Sequence, residues 1–380
     1  MKIPVNEPVL NGNELKYISD CVTSGWISSA GKYIEYFEES MKILTNRKYA
    51  FAVSNGTIAL DIAFHAIGLK KGDEVIVPSF TIISCINHIL RIGAKPIFID
   101  CEIDSWNIDV NQIEERITSK TKAILAVHIY GLTNDMNRLK EITKRHNLFL
   151  IEDAAEAMGQ KYKEENCGSF GDISTTSFFA NKHITTGEGG MVFTNCEKLA
   201  KKIKSARNLG FDEDPEKRFI HQEIGWNGRM TNLQAALGLA QYEQLDSFIT
   251  KKIKLGNLYT KYLENQKNLI LPLNKTEFSI NHYWVYGILI KDGSIKSNEL
   301  RRKLKLRGID SRPFFYPLNK QPVIQKLVPE QHAPNSEFLY DYGLYIPSGI
   351  GTTEEQIKYV SDNLIDLLNE PGEFEIRGNS

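Results

Sequence analysis

The sequence predicts an α/β protein whose larger part is a mostly parallel sheet with helices on both faces. Short runs rich in Val, Ile and Phe alternate with segments of helical spacing over the first two thirds of the chain, the pattern that builds βα units. Those runs are continuously rather than alternately apolar, as strands buried on both faces are. A chain of 380 residues, 42% of them hydrophobic, is long and apolar enough for a large core and about two domains.

In chain order, YAFAV at 49–53 reads as a strand, and Ser54-Asn55-Gly56-Thr57 as a tight turn. Ile58, Leu60, Ile62, Ala63 and Ile67 then fall at helical spacing. Further strands are expected at 74–80, 96–100, 123–131 and 149–153, with a helix over 134–146. From Thr231, a candidate N-cap, to about Gln266 the pattern predicts one long connecting helix. Beyond it, 282–290 and 310–316 read as strands of a smaller sheet, with helices at 297–306 and 354–368. This divides the chain into a large domain over 1–250 and a small C-terminal α/β domain over 251–380, with the last ten residues expected to be loose.

Composition excludes several functions. Lys and Arg number 46 against 47 Asp and Glu, for a net charge of −1, so a basic surface for nucleic acid is not expected. Five scattered cysteines form no CxxC pair, and the eight histidines form no HExxH pattern, so neither a disulfide framework nor a metal site is expected. The first run lacks GxGxxG, which argues against a dinucleotide-binding oxidoreductase. No apolar run reaches membrane-spanning length and the N-terminus lacks a signal-peptide pattern, so a soluble cytoplasmic protein is expected.

Three local features carry chemistry. Lys182 lies in a loop between an apolar run and Gly187, Gly189 and Gly190, where burial would leave its amine neutral and nucleophilic; elsewhere such a lysine is a solvated residue. Asp153 ends a buried strand, the edge where open α/β sheets bind ligands, and suits a protonated pyridine nitrogen; it also suits a helix cap. The turn at 54–57 can hold a phosphate at a helix N-terminus, or be an ordinary capped turn. In this order, the three together describe a site for pyridoxal phosphate.

The motifs IPVNEPVLNGNE at the start, GWISSAGKYIEYFE, VSNGTIAL, GDEVIVPSFT, IEDAAEAMG, SFFANKHITTGEGGM, GWNGRMTNLQAALGLAQ and SRPFFYP follow one another along nearly the whole chain. With them the chain resembles the DegT/DnrJ/EryC1/StrS sugar aminotransferases. The resemblance implies the type I pyridoxal-phosphate-dependent aminotransferase fold and a homodimer whose active site is shared between subunits. It implies that Lys182 joins the cofactor and shuttles protons, that Asp153 pairs with the ring nitrogen, and that Glu156 lies near the ring. Gly56, Thr57 and Ser177 would hold the phosphate, with Asn227 supplied by the partner.

Arg229, Arg312 and Tyr316 are implied substrate contacts, although either arginine is also read as structural. Ile82 stands where relatives often carry a ring-stacking aromatic, and Asn319 where they often carry His. His183 is expected to be a partly buried neighbour without a catalytic role. L-glutamate is the implied amino donor and GDP-4-keto-6-deoxymannose the implied acceptor. A UDP-linked 4-keto-6-deoxy sugar or an 8-keto-octulosonate is the alternative. A 3-dehydratase branch carries histidine in place of the lysine, and Lys182 argues against it.

Overall fold

The computed structural model describes residues 2–370 except Glu213, Asp292 and Ser294; the segment expected to be loose, 371–380, lies outside the described residues. Its large sheet contains β1 (Tyr49–Val53), β2 (Glu74–Pro78), β3 (Lys95–Ile99), β4 (Thr121–Val127), β5 (Phe149–Asp153), β6 (Ile173–Ser177) and β7 (Gly190–Thr194). They lie in the order β1-β7-β6-β5-β4-β2-β3. Only β7 runs against the rest, pairing antiparallel with β1 and β6.

Alternate strand residues enter opposite cores, which is why the runs are apolar throughout. From β4, Ala123, Leu125 and Val127 share a core with α3 (Gly56–Ala66) and α5 (Glu197–Arg207), while Ile124 and Ala126 pack with α4 (Met136–His146). Ala52 of β1 and Met191 of β7 share a third core with α1 (Glu14–Ser24), α2 (Lys32–Thr45) and α6 (Asn232–Tyr242). The strands expected over 74–80 and 123–131 stop at Pro78 and Val127. Past Val127 the chain leaves the sheet, and Tyr130 takes a φ of 54°.

The single helix expected from Thr231 is two helices. Thr231 does cap α6 in a reciprocal capping box with Gln234, but α6 ends at Tyr242 and α7 (Leu245–Leu263) begins three residues later. At the break, Gln241 and Gln244 donate to the Glu14 carboxylate at 2.6 and 3.1 Å. Glu243 accepts from Asn13 Nδ2 and Tyr17 Oη at 2.7 and 2.6 Å. These contacts to α1 and the turn before it are tertiary, and no periodicity within 231–266 encodes them. Helix α7 runs uninterrupted across 250/251.

The small sheet has β8 (Leu269–Ile270), β9 (Tyr286–Ile290), β10 (Arg312–Pro313) and β11 (Gly343–Ile346), in the order β8-β9-β11-β10 and wholly antiparallel. Residues 282–285 precede β9 instead of extending it, because Tyr283 turns at a φ of 50°. Helices α8 (Ser297–Leu306) and α9 (Glu354–Asn369) share the buried core of this sheet with Leu255 and Tyr259 of α7. The first described residues join this unit: Ile3 pairs with Ile309, and Ser348 N–H donates to the Val5 carbonyl. Among the described residues no helix is long and apolar enough to cross a membrane.

Candidate active site

The carboxyl ends of β1, β5 and β6 and the start of β7 meet at one edge of the sheet. Gly56, Thr57, Ile82, Asp153, Glu156, Ser177 and Lys182 line one cavity there, of about 660 Å³. Asn55 caps α3, its side chain accepting from Ile58 N–H at 2.9 Å. The N–H groups of Gly56 and Thr57 begin the helix and have no intrahelical acceptor. Thr57 Oγ1 lies 2.9 Å from Ser84 Oγ. A Cβ on Gly56 would lie 2.8 Å from Ser177 Cβ, so only glycine lets the helix start approach Ser177. The result is a compact cradle of N–H and hydroxyl groups at the positive end of a helix, which fits a phosphate.

Asp153 is buried at the end of β5, with Oδ1 accepting from Ala155 N–H at 3.0 Å and Oδ2 lying 3.8 Å from Cys85 Sγ. Burial pushes its carboxyl up, opposed by the Ala155 N–H and by Lys182. Glu156 accepts from Tyr130 N–H at 2.9 Å, and its other oxygen is 3.9 Å from Lys182 Nζ. Burial raises the Glu156 carboxyl and lowers the Lys182 amine, driving both toward their neutral forms against their mutual attraction. Two buried carboxylates therefore face one amine. A protonated ring nitrogen beside Asp153, with an anionic phosphate at the helix start, matches this donor set, so the residues present fit pyridoxal phosphate.

Sequence reasoning missed the wall opposite. Trp284, from the small unit, places its ring centroid 3.8 Å from Lys182 Nζ and donates its indole N–H to the Asn181 carbonyl at 2.8 Å. Phe315 and Tyr345 complete that side. Ile82 is 48% exposed and offers the cavity an apolar edge. Phe178 anchors the lysine loop, packing 4.9 Å from Phe37. His183 is fully rather than partly buried, its ring 6.4 Å from that of His282.

The remaining candidates lie elsewhere. Arg312 lines a smaller cavity of about 280 Å³ that shares Phe179, Asn181, Trp284 and Tyr345 with the first. Tyr316 packs edge-on against Tyr340 at 4.8 Å and lines neither. Asn227 is exposed, and Arg229 donates to Asn208 Oδ1 at 2.6 Å in a separate cleft. Asn319 is buried, accepting from Ser79 Oγ at 2.7 Å and donating to the Gln331 carbonyl at 2.7 Å, so it ties loops together away from the cavity.

Beneath the site, Glu152 accepts from Gly168 N–H, Phe170 N–H and Ser174 Oγ at 2.7, 2.9 and 2.7 Å, and meets His128 Nε2 at 3.1 Å. Burial opposes its charge, but His128, the Gly168 N–H and Arg47 outweigh it and hold the carboxyl at about 2. His128, Glu152 and Cys167 bring their ligand atoms within 4.8 Å of one another. Because protein donors already occupy the Glu152 oxygens, this trio acts as a structural rivet.

The sequence profile of the DegT/DnrJ/EryC1/StrS aminotransferase family matches residues 8–365. The chain is 42% identical over 369 residues to a GDP-perosamine synthase of Escherichia coli O157:H7, covering 97% of this chain and 99% of that one. It is 40% identical to one from Vibrio cholerae over the same shares of each chain. Among solved structures, the aminotransferase TlmJ from Streptoalloteichus hindustanus shares the fold at a TM-score of 0.91 and 24% identity, covering 97% of this chain and 99% of that one. An E. coli GDP-4-keto-6-deoxy-D-mannose-3-dehydratase with bound hydrated PLP matches at 0.89 and 25% identity, over 96% and 99%.

Proposed function

The chain belongs to the DegT/DnrJ/EryC1/StrS aminotransferase family and is a pyridoxal-phosphate-dependent sugar aminotransferase, and on that premise we propose that it aminates GDP-4-keto-6-deoxymannose, with L-glutamate as donor, to give GDP-perosamine. The observation that carries the choice of sugar is the full-length similarity to GDP-perosamine synthases at about 40% identity. The reading includes a cytoplasmic homodimer supplying surface polysaccharide synthesis. The boundary expected at 250/251 falls inside α7, so the reading assigns the cofactor to the unit built on β1–β7 and leaves the unit built on β8–β11 as the smaller domain. The fold is shared with a 3-dehydratase. Lys182 in the cavity favours the transaminase reading, because an amine at that position can join the cofactor and move a proton.

When bound, pyridoxal phosphate supplies an aldehyde that accepts an amino group and a ring that stores the electron pair left when a C–H bond breaks. Asp153 would keep a proton on the ring nitrogen, and the hydrogen bond it accepts from Ala155 N–H holds the carboxylate in place. Gly56, Thr57 and Ser177 would hold the phosphate, and in the dimeric reading Asn227 of the partner subunit would complete that hold. The Lys182 amine, made less basic by burial, takes the proton from the donor carbon and later returns one to the sugar carbon. Glu156, 3.9 Å away, would orient that amine. Arg312, in the adjoining cavity, is the substrate contact this reading keeps, whereas Arg229 and Tyr316 line neither cavity.

The test has two steps. Loaded protein is treated with L-glutamate until its visible absorption is lost, the donor is removed, and keto sugars are added singly. Return of the band with GDP-4-keto-6-deoxymannose alone is expected. Return only with a UDP-linked keto sugar or an 8-keto-octulosonate would refute the choice of acceptor.

A further inference from the structure

We propose that Lys252 is a positioning residue that holds Trp284 against the Lys182 amine. This rests on the reading of Lys182 as the cofactor lysine. Lys252 is 3% exposed on α7 and lines neither cavity. Its Nζ donates to the Trp284 carbonyl at 3.1 Å and to the Ser348 carbonyl. Among the described residues no carboxylate pairs with it, and burial pulls its amine down to about 7. A buried amine with carbonyl partners alone is a costly space-filler, since methionine would occupy similar volume without desolvating a charge.

The two carbonyls it joins explain the cost. Trp284 lies just before β9 and Ser348 just after β11, and Ser348 Oγ accepts from Tyr286 N–H at 3.0 Å. The same face of α7 grips these segments again at successive turns. A Cβ on Gly256 would lie 2.3 Å from Tyr283 Cδ2, so Tyr283 packs directly on the helix there. Tyr259 Oη donates to the Pro347 carbonyl at 2.6 Å. Trp284 is thus fixed at both ends, its carbonyl by Lys252 and its indole N–H by the Asn181 carbonyl, one residue from Lys182. With the ring centroid 3.8 Å from Lys182 Nζ, any rotation of the indole changes where that amine points.

The readout is the rate at which the visible band appears when pyridoxal phosphate is added to apo-protein, which does not depend on turnover. Lys252→Met is expected to slow it about tenfold, as misplacing a reacting group does. Trp284→Ala is expected to slow it similarly, and the double variant no further, because both act through one ring. Lys252→Arg, which keeps donors for both carbonyls, should recover most of the rate. If Lys252→Met does not fold, Lys252→Gln is judged by the same criteria. An unchanged rate, or slowing that multiplies in the double variant, would overturn the proposal. Lys182→Ala must give no band; a normal band there would refute the underlying lysine assignment instead.

Discussion

Replacing Gly56 by alanine tests the phosphate cradle at its tightest point. Gly56 does not sit in the left-handed region, so its backbone would accept alanine, and a helix position ordinarily favours that change by up to about 1 kcal/mol. Space decides otherwise. The new Cβ would lie 2.8 Å from Ser177 Cβ, 3.2 Å from Oγ and 3.4 Å from Cα. None of these is the far end of a flexible side chain, so α3 and β6 must separate, at the roughly 1–3 kcal/mol typical of overpacking.

The cradle is where that separation appears, since Gly56 N–H and Ser177 Oγ must converge on one phosphate. If most of the cost falls there, cofactor affinity drops about 5- to 150-fold. Titrating apo-protein with pyridoxal phosphate, followed by visible absorbance and tryptophan fluorescence, measures it, and the melting temperature of the apo-protein reports any wider damage. An affinity within twofold of wild type would refute the reasoning, as would a loss explained entirely by unfolding.

Asp153→Asn replaces the carboxylate that ends β5 and should cut turnover by more than about 100-fold while leaving the protein folded, because a neutral amide cannot hold the ring-nitrogen proton; steady-state rates near wild type would contradict the role. If the site is shared, mixing Lys182→Ala with Asn227→Ala subunits should restore about a quarter of wild-type activity, since half the dimers carry one intact site; no recovery after verified subunit exchange would place Asn227 elsewhere. Burial holds His88 at about 4, so between that value and 6.5 the unfolded chain binds a proton that the folded chain does not. Stability from this group is complete above 6.5 and falls as pH drops toward 4, by at most about 3 kcal/mol. Urea unfolding of His88→Phe should lose less stability than wild type between pH 7 and 5; equal losses would count against the burial argument.

The sequence by itself determined those features that are local in the chain. The βα alternation, the capped turn at Gly56 and Thr57, the acid ending the β5 run and the lysine among glycines each follow from backbone chemistry within a few residues, so each was legible before any contact was known. These positions fall on one cavity because parallel strands present all their carboxyl ends at one edge. Tertiary structure alone decided what faces them. The division of the predicted 231–266 helix depends on Glu14, Asn13 and Tyr17 reaching across to residues 241–244. Trp284 reads as part of a strand until the small unit folds back and sets its ring on Lys182. Asn319 resembles a site position in its motif, yet packing buries it between Ser79 and Gln331. Periodicity encodes which face of an element is buried; which distant side chain meets it there is set by how the elements pack, and that information is spread over the whole chain.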